Sequence, residues 1–182
     1  MFPERLFFAV RPPAATRDAL AALRDRLTTP GARPVATANL HLTLVFLGTL
    51  DAARRARALA VGAELTPPPA FDLFLDTLGS WPGPAVRWCA PRVVPVLLEQ
   101  WVACLRAALT AAGCTLDPRP YRPHVTLLRA APVLRDTPLQ PPLLWPVTRF
   151  ALLASPPGQR RDYAVLGDWP LGAPRDSAAA VR

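Results

Sequence analysis

The sequence predicts an α+β fold built from mostly antiparallel sheets, and three observations carry that expectation. The segments run strand, helix, strand, helix, strands, helix, strands, with too few helices between strands for a doubly wound parallel sheet. Hydrophobic residues make up 51% and charged residues 19% of 182 residues, proportions that bury a core without metal or disulfide staples. A short pattern, Leu40-His41-Leu42-Thr43-Leu44, returns as Pro123-His124-Val125-Thr126-Leu127, which suggests two similar halves rather than two independent domains.

Arg5 to Val10 (R-L-F-F-A-V) reads as a buried strand because it is apolar, partly aromatic and stopped by two prolines. Ala15 to Leu27 is a helix, with Leu20, Leu23 and Leu27 at helical spacing and Pro30-Gly31 beyond it. Leu40 to Leu47 is a strand ending at Gly48. Asp51 is placed to cap a helix over Ala52 to Leu65, whose Arg54, Arg55 and Arg57 face water. Thr66-Pro67-Pro68-Pro69 is a stiff break. Phe71 to Leu78 and Ala85 to Ala90 are strands around a turn at 80–84. Beyond Pro95, Leu98, Trp101, Val102, Leu105 and Leu109 form the apolar stripe of a helix that Gly113 is suited to end. His124 to Leu128, Val147 to Ala154 and Tyr163 to Trp169 complete the strands. The proline-rich 138–146 region reads as a local feature. Residues 1–172 are expected to form one domain and 173–182 a frayed tail.

The net charge is +8, and every basic residue is arginine. Codon bias accounts for much of that usage, but guanidinium forks also suit a polyanionic partner. Three cysteines, Cys89, Cys104 and Cys114, form neither an even set nor a C-x-x-C pair, so no disulfide framework and no zinc ribbon is expected. With only two histidines, no metal site is expected either. The apolar stretch Leu6 to Val10 is too short for a signal-peptide core, and no run reaches transmembrane length, so a cytosolic location is the default.

Both histidines lie in the pattern H-x-T-L. Side chains alternate along a strand, so His41 and Thr43 share one face while Leu42 and Leu44 share the other, and His124 and Thr126 repeat the arrangement. A lone histidine on such a strand is most often a half-exposed residue with a satisfied hydrogen bond. Two copies of one motif that use all the histidine in the chain favour chemistry instead. Imidazole exchanges protons near neutrality, and two of them can act as one base and one acid. Arg119, Arg122 and Arg129 crowd the second motif. Arg129 lies an odd five residues past His124, so it reaches the same face only if the strand ends or bulges. Tyr121 and Phe46 are candidates for stacking on a base, with core packing the simpler expectation for Phe46. Phe7 and Phe8 point to opposite faces, so one of them borders any cleft; Phe8 is the candidate carried forward.

Paired H-x-T motifs, with R-L-F-F-A-V at the start, F-L-G after the first motif and P-H-V-T-L-L-R at the second, resemble the two-histidine phosphoesterase superfamily. Within it the chain is most similar to the bacterial RNA 2′,3′-cyclic phosphodiesterases, also called 2′-5′ RNA ligases. The resemblance spans Arg5 to about Leu171. It implies a bilobed fold with pseudo-twofold symmetry, each lobe bringing one motif to a central cleft with helices outside. It further implies His41 and His124 as the catalytic pair, and Thr43, Thr126 and Arg129 as phosphate ligands. Phe8, Phe46, Tyr121 and Arg122 remain candidates to line the cleft.

The reaction it implies is metal-independent and cofactor-free: hydrolysis of RNA 2′,3′-cyclic phosphate ends to 2′-phosphates, with a reversible 2′-5′ RNA ligation beside it. His124 is drawn as base and His41 as acid, an assignment that the symmetry of the motifs leaves open. The expected partner of this monomer is RNA with a cyclic phosphate end, not a membrane. Two alternatives stay open: a relative acting on ADP-ribose 1″,2″-cyclic phosphate or 2′-5′ oligonucleotides, and an RNA-end binding protein without turnover.

Overall fold

The alternation in R-L-F-F-A-V sorts the first strand, β1 (Arg5–Val10), into two faces. Leu6, Phe8 and Val10 enter the main core, and Phe7 and Ala9 face the other way. In this computed structural model, which describes residues 4–155 and 162–173, the same division extends across the whole molecule. After β1 come α1 (Ala14–Leu27), β2 (Arg33–Pro34), β3 (Leu42–Gly48), α2 (Ala52–Glu64), β4 (Phe71–Trp81) and β5 (Val86–Ala90). They are followed by α3 (Val96–Ala111), β6 (Val125–Arg129), β7 (Thr137–Val147), β8 (Arg149–Ser155) and β9 (Ala164–Pro170).

The main strands form one sheet in the order β7-β4-β5-β6-β3-β1-β8-β9, with β2 added to β6, and every strand pair is antiparallel. The two sheets expected from the sequence are thus joined edge to edge. Their seam is β3 against β6, paired only at Leu42 and Val125. On either side lie four strands, β9-β8-β1-β3 and β6-β5-β4-β7, related as the repeat implies.

One face of this sheet carries the helices. The α3 stripe of Leu98, Trp101, Val102, Leu105 and Leu109 is buried in one core with Leu20 and Leu23 of α1 and with the inward residues of β1, β3, β4, β6 and β8. Helix α1 lies against β6 and β7, while α2 and α3 lie against the half that holds β3, β8 and β9. Among the described residues the opposite face carries no helix but two small apolar clusters, one in each half: Phe7, Ala9, Ala151 and Leu153, and Val86, Trp88 and Ala90.

Local chemistry explains the helix ends. The Asp51 carboxylate accepts the Arg54 backbone N–H at 2.7 Å, capping α2. At the end of α3, Gly113 adopts φ +81°, the Cys114 N–H reaches the Leu109 carbonyl, and the Gly113 N–H reaches that of Thr110. That pair of bonds is the Schellman ending, and it favours glycine at its left-handed position.

Three expectations need correcting. The proline-rich 138–146 region, where no strand was expected, is most of β7, paired along β4. Proline lacks the N–H that an inner strand must donate, and β7 tolerates four prolines because it is the sheet edge. Strand β4 also runs on through Trp81 into the expected turn. Finally, β3 and β6 each begin one residue after their histidine, so His41 and His124 stand at strand mouths. The frayed tail falls almost wholly on residues 174–182, outside the described residues.

Gly62 of α2 packs under the Trp169 indole, where an added Cβ would come within 2.5 Å of the ring. Gly62→Ala should therefore destabilise the protein by about 1–3 kcal/mol, read as a lower urea midpoint at unchanged slope. An unchanged midpoint would show that α2 and β9 are not in close contact.

Candidate active site

A bulge at the same place in each motif decides which side chains reach the open face. Along β3, Phe8 pairs with Val45 and Ala9 with Thr43, which leaves Leu44 as an extra residue. Along β6, Arg87 pairs with Leu128 and Trp88 with Thr126, which leaves Leu127 extra. Each bulge resets the alternation. Leu42, Leu44 and Val45 all enter the main core, as do Val125, Leu127 and Leu128. The opposite set, His41, Thr43 and Phe46 on one strand and His124, Thr126 and Arg129 on the other, faces the open side. The odd spacing of Arg129 is accounted for by the bulge, and Phe46 is its counterpart in the first motif, at 47% exposure.

The seam then brings the motifs together. Leu42 lies between His41 and Thr43, and its partner Val125 lies between His124 and Thr126. Carried one residue either way, the antiparallel register directs His41 toward Thr126 and Thr43 toward His124. Neighbouring strands are about 4.8 Å apart, so two imidazoles and two hydroxyls gather around one small space.

Each imidazole is held by the same bond. Nδ1 of His41 donates to the Asn39 carbonyl at 2.7 Å, and Nδ1 of His124 donates to the Arg122 carbonyl at 2.7 Å. A ring whose Nδ1–H is committed to a carbonyl presents its Nε2 lone pair when neutral. Nε2 of His41 meets the Thr43 hydroxyl at 3.2 Å. Burial pushes the His41 pKa down to about 4, against the opposing pull of the Asn39 carbonyl, and the positive charges of His124, Arg129 and Arg11 push it the same way. His124 is lowered too, first by burial and then by Arg129. Arg129 therefore acts on both rings, and both are shifted toward the neutral form.

Aromatic walls flank the pair. The His41 ring lies 4.9 Å from Phe7 and 5.4 Å from Tyr163, whose backbone N–H is held by the Asn39 amide oxygen. The His124 ring lies edge-on to Trp81 at 4.5 Å, and Trp81 leans on Trp88 at 5.5 Å.

Phe8 is a correction: it is 0% exposed in the main core, against Phe150 and Trp169, and Phe7 is the ring at the site. Tyr121 packs against the main core and donates its hydroxyl to the Thr43 carbonyl at 3.4 Å, which makes it a brace across the seam rather than a stacking surface. Burial raises its pKa. Arg122 contributes its carbonyl to His124, and its side chain is exposed.

Sequence reasoning missed Asn39, Trp81, Trp88, Tyr163 and Arg11. Only the shared parity of Phe7, Ala9 and Arg11 hinted at Arg11. Among the described residues no group of three or more His, Cys, Asp or Glu side chains is placed to hold a metal ion. A cavity of about 720 Å³ opens at the β4–β7 edge, lined by Asp76, Arg92 and residues 136–142 and by neither histidine.

A family model described as LigT like Phosphoesterase matches residues 10–88. The chain is 40% identical over 173 residues to the RNA 2′,3′-cyclic phosphodiesterase of Escherichia coli K12, covering 93% of this chain and 97% of that one. It is 35% identical over 164 residues to the RNA 2′,3′-cyclic phosphodiesterase of Thermus thermophilus, covering 83% and 81%. The crystal structure of E. coli LigT complexed with 3′-AMP superposes with a TM-score of 0.81 at 37% identity, over 93% of this chain and 99% of that one.

A histidine whose pKa falls from 6.5 when unfolded to about 4 when folded makes the native state bind fewer protons over that interval. Its contribution to stability is complete above about pH 6.5 and is lost as pH falls toward 4. The thermal midpoint should drop between pH 7 and pH 4.5, and less steeply in His41→Gln than in the wild type. Parallel profiles would contradict a buried neutral His41.

Proposed function

This chain belongs to the LigT-like phosphoesterase family, and we propose that it opens 2′,3′-cyclic phosphates at RNA ends to 2′-phosphates, with His41 and His124 as its acid–base pair. The observation that carries this reading is the matched pair of imidazoles at the seam, each fixed through Nδ1 to a carbonyl two residues back, beside a threonine of its own motif.

The reaction requires one proton taken and one given. His124 removes a proton through Nε2 from a water that attacks phosphorus in line with the bond to O3′. His41, protonated on Nε2, delivers its proton to O3′ as the P–O3′ bond breaks, leaving the phosphate on O2′. Both rings are shifted toward the neutral form in the free protein, so the acid is loaded as the anionic phosphate enters and offsets the charges of Arg11 and Arg129. Thr43, Thr126 and Arg129 hold the non-bridging oxygens as charge builds on them. A 5′-hydroxyl in the place of water attacks in the same direction: P–O5′ forms as P–O3′ breaks and O3′ takes the proton, which is 2′-5′ ligation.

The reading expects a monomer acting on RNA ends in the cytoplasm. No helix among the described residues is long and apolar enough to cross a membrane.

A short RNA ending in 2′,3′-cyclic phosphate should yield a 2′-phosphate in excess chelator. His41→Ala and His124→Ala should each slow the reaction by about 10²–10⁴-fold while melting as folded proteins. A 3′-phosphate product, loss of activity in chelator, or full activity in either variant would overturn the proposal. An untouched RNA with ADP-ribose 1″,2″-cyclic phosphate opened would move the substrate within the same chemistry. Tight binding without product would leave an RNA-end binder.

A further inference from the structure

A second basic position lies on the open face beside His41. Strand β1 alternates without a break, so Arg11 follows Phe7 and Ala9 onto that face. The antiparallel pairing of Val10 with Leu42, continued one residue, turns Arg11 toward His41. The pairing of Ala9 with Ala151, continued two residues, turns it toward Arg149 on its other side. Arg11, one residue past the end of β1, thus continues the register between His41, one residue before β3, and Arg149 at the start of β8. In keeping with this register, Arg11 is among the positive charges that lower the His41 pKa, after burial, His124 and Arg129.

The space beside Arg11 and Arg149 is open. A shallow cavity of about 170 Å³ at this end of β1 and β8 is lined by Arg11, Arg149, Ala151 and Asp168 together with Pro13 and Pro146, and not by His41 itself. Ala9 and Ala151 give this part of the face a low floor. Asp168 accepts from Nε of Arg149 at 3.1 Å, so that charge is partly answered. Arg11 is exposed and makes no ion pair or hydrogen bond of its side chain with the described residues. Two guanidiniums face one carboxylate, and the unmatched charge is that of Arg11.

A 3′-terminal nucleotide that ends in a cyclic phosphate has one other phosphate, the diester on its 5′ side, through which the RNA chain continues. We propose that Arg11 holds that 5′ phosphate, so that the protein distinguishes the end of an RNA chain from a free cyclic mononucleotide. This rests on the cyclic phosphodiesterase reading above and adds the subsite that reads chain continuity.

The test compares a nucleoside 2′,3′-cyclic phosphate with the same compound carrying a 5′-phosphate. In the wild type the 5′-phosphate should raise kcat/KM about tenfold, mainly through KM, as a charge-assisted contact does. In Arg11→Gln the ratio between the two substrates should fall close to one, and Arg11→Lys should keep part of it. The slope of log KM against log salt for the 5′-phosphorylated substrate should also fall by about one in Arg11→Gln. A wild type indifferent to the 5′-phosphate, or an Arg11→Gln protein that keeps the full ratio, would overturn the proposal. If the wild type opens neither compound but does bind RNA ends, the underlying reaction has failed and the subsite falls with it.

Discussion

One backbone pairing, Leu42 of β3 with Val125 of β6, joins the two halves of the sheet, and the rest of the site depends on it. Both residues lie between the histidine and the threonine of their motifs. A seam at any other register would separate the rings or turn one motif away from the other. The main core, with Leu42 and Val125 in it, fixes that register, because a slip by one residue would expose a full set of apolar side chains. The position of the imidazoles is therefore set by packing on the far side of the sheet.

The bulges at Leu44 and Leu127 complete the arrangement. A regular strand offers alternate residues to one face, so the third side chain on the open face would be Val45 in one motif and Leu128 in the other. The extra residue hands that place to Phe46 and Arg129 instead, and it adds local twist beside the seam. The two motifs use the step differently. The first presents Phe46 and the second Arg129, so a pseudosymmetric frame carries an asymmetric site that can orient a substrate.

Much of this was legible in the amino-acid order. The strand through Arg5–Val10, the α3 stripe, the Asp51 cap and the Gly113 ending all follow from local chemistry, and each appears in the structure with its expected residues. The H-x-T-L pairs were visible for the same reason, since their facing depends on neighbours two residues away. What escaped is whatever depends on a strand distant in the chain. Phe8 and Phe7 are equivalent in pattern until the side that carries the helices is known. The prolines of β7 argue against a strand until the segment is seen to be an edge. Arg11 became significant only once β1 was paired with β3 and β8, and the fixing of each imidazole through Nδ1 required the backbone turn before its strand.

The central claim is that the two histidines, with Nε2 turned inward, share one phosphate. Because the chain holds only two histidines, nitrogen-15 spectra of the imidazoles resolve both rings. At pH 7 both should show the neutral Nδ1–H form. Titration with a nucleoside 2′-monophosphate should move both Nε2 signals together, with a single dissociation constant. One ring responding alone, or an Nε2–H form on either, would contradict a shared site at the seam.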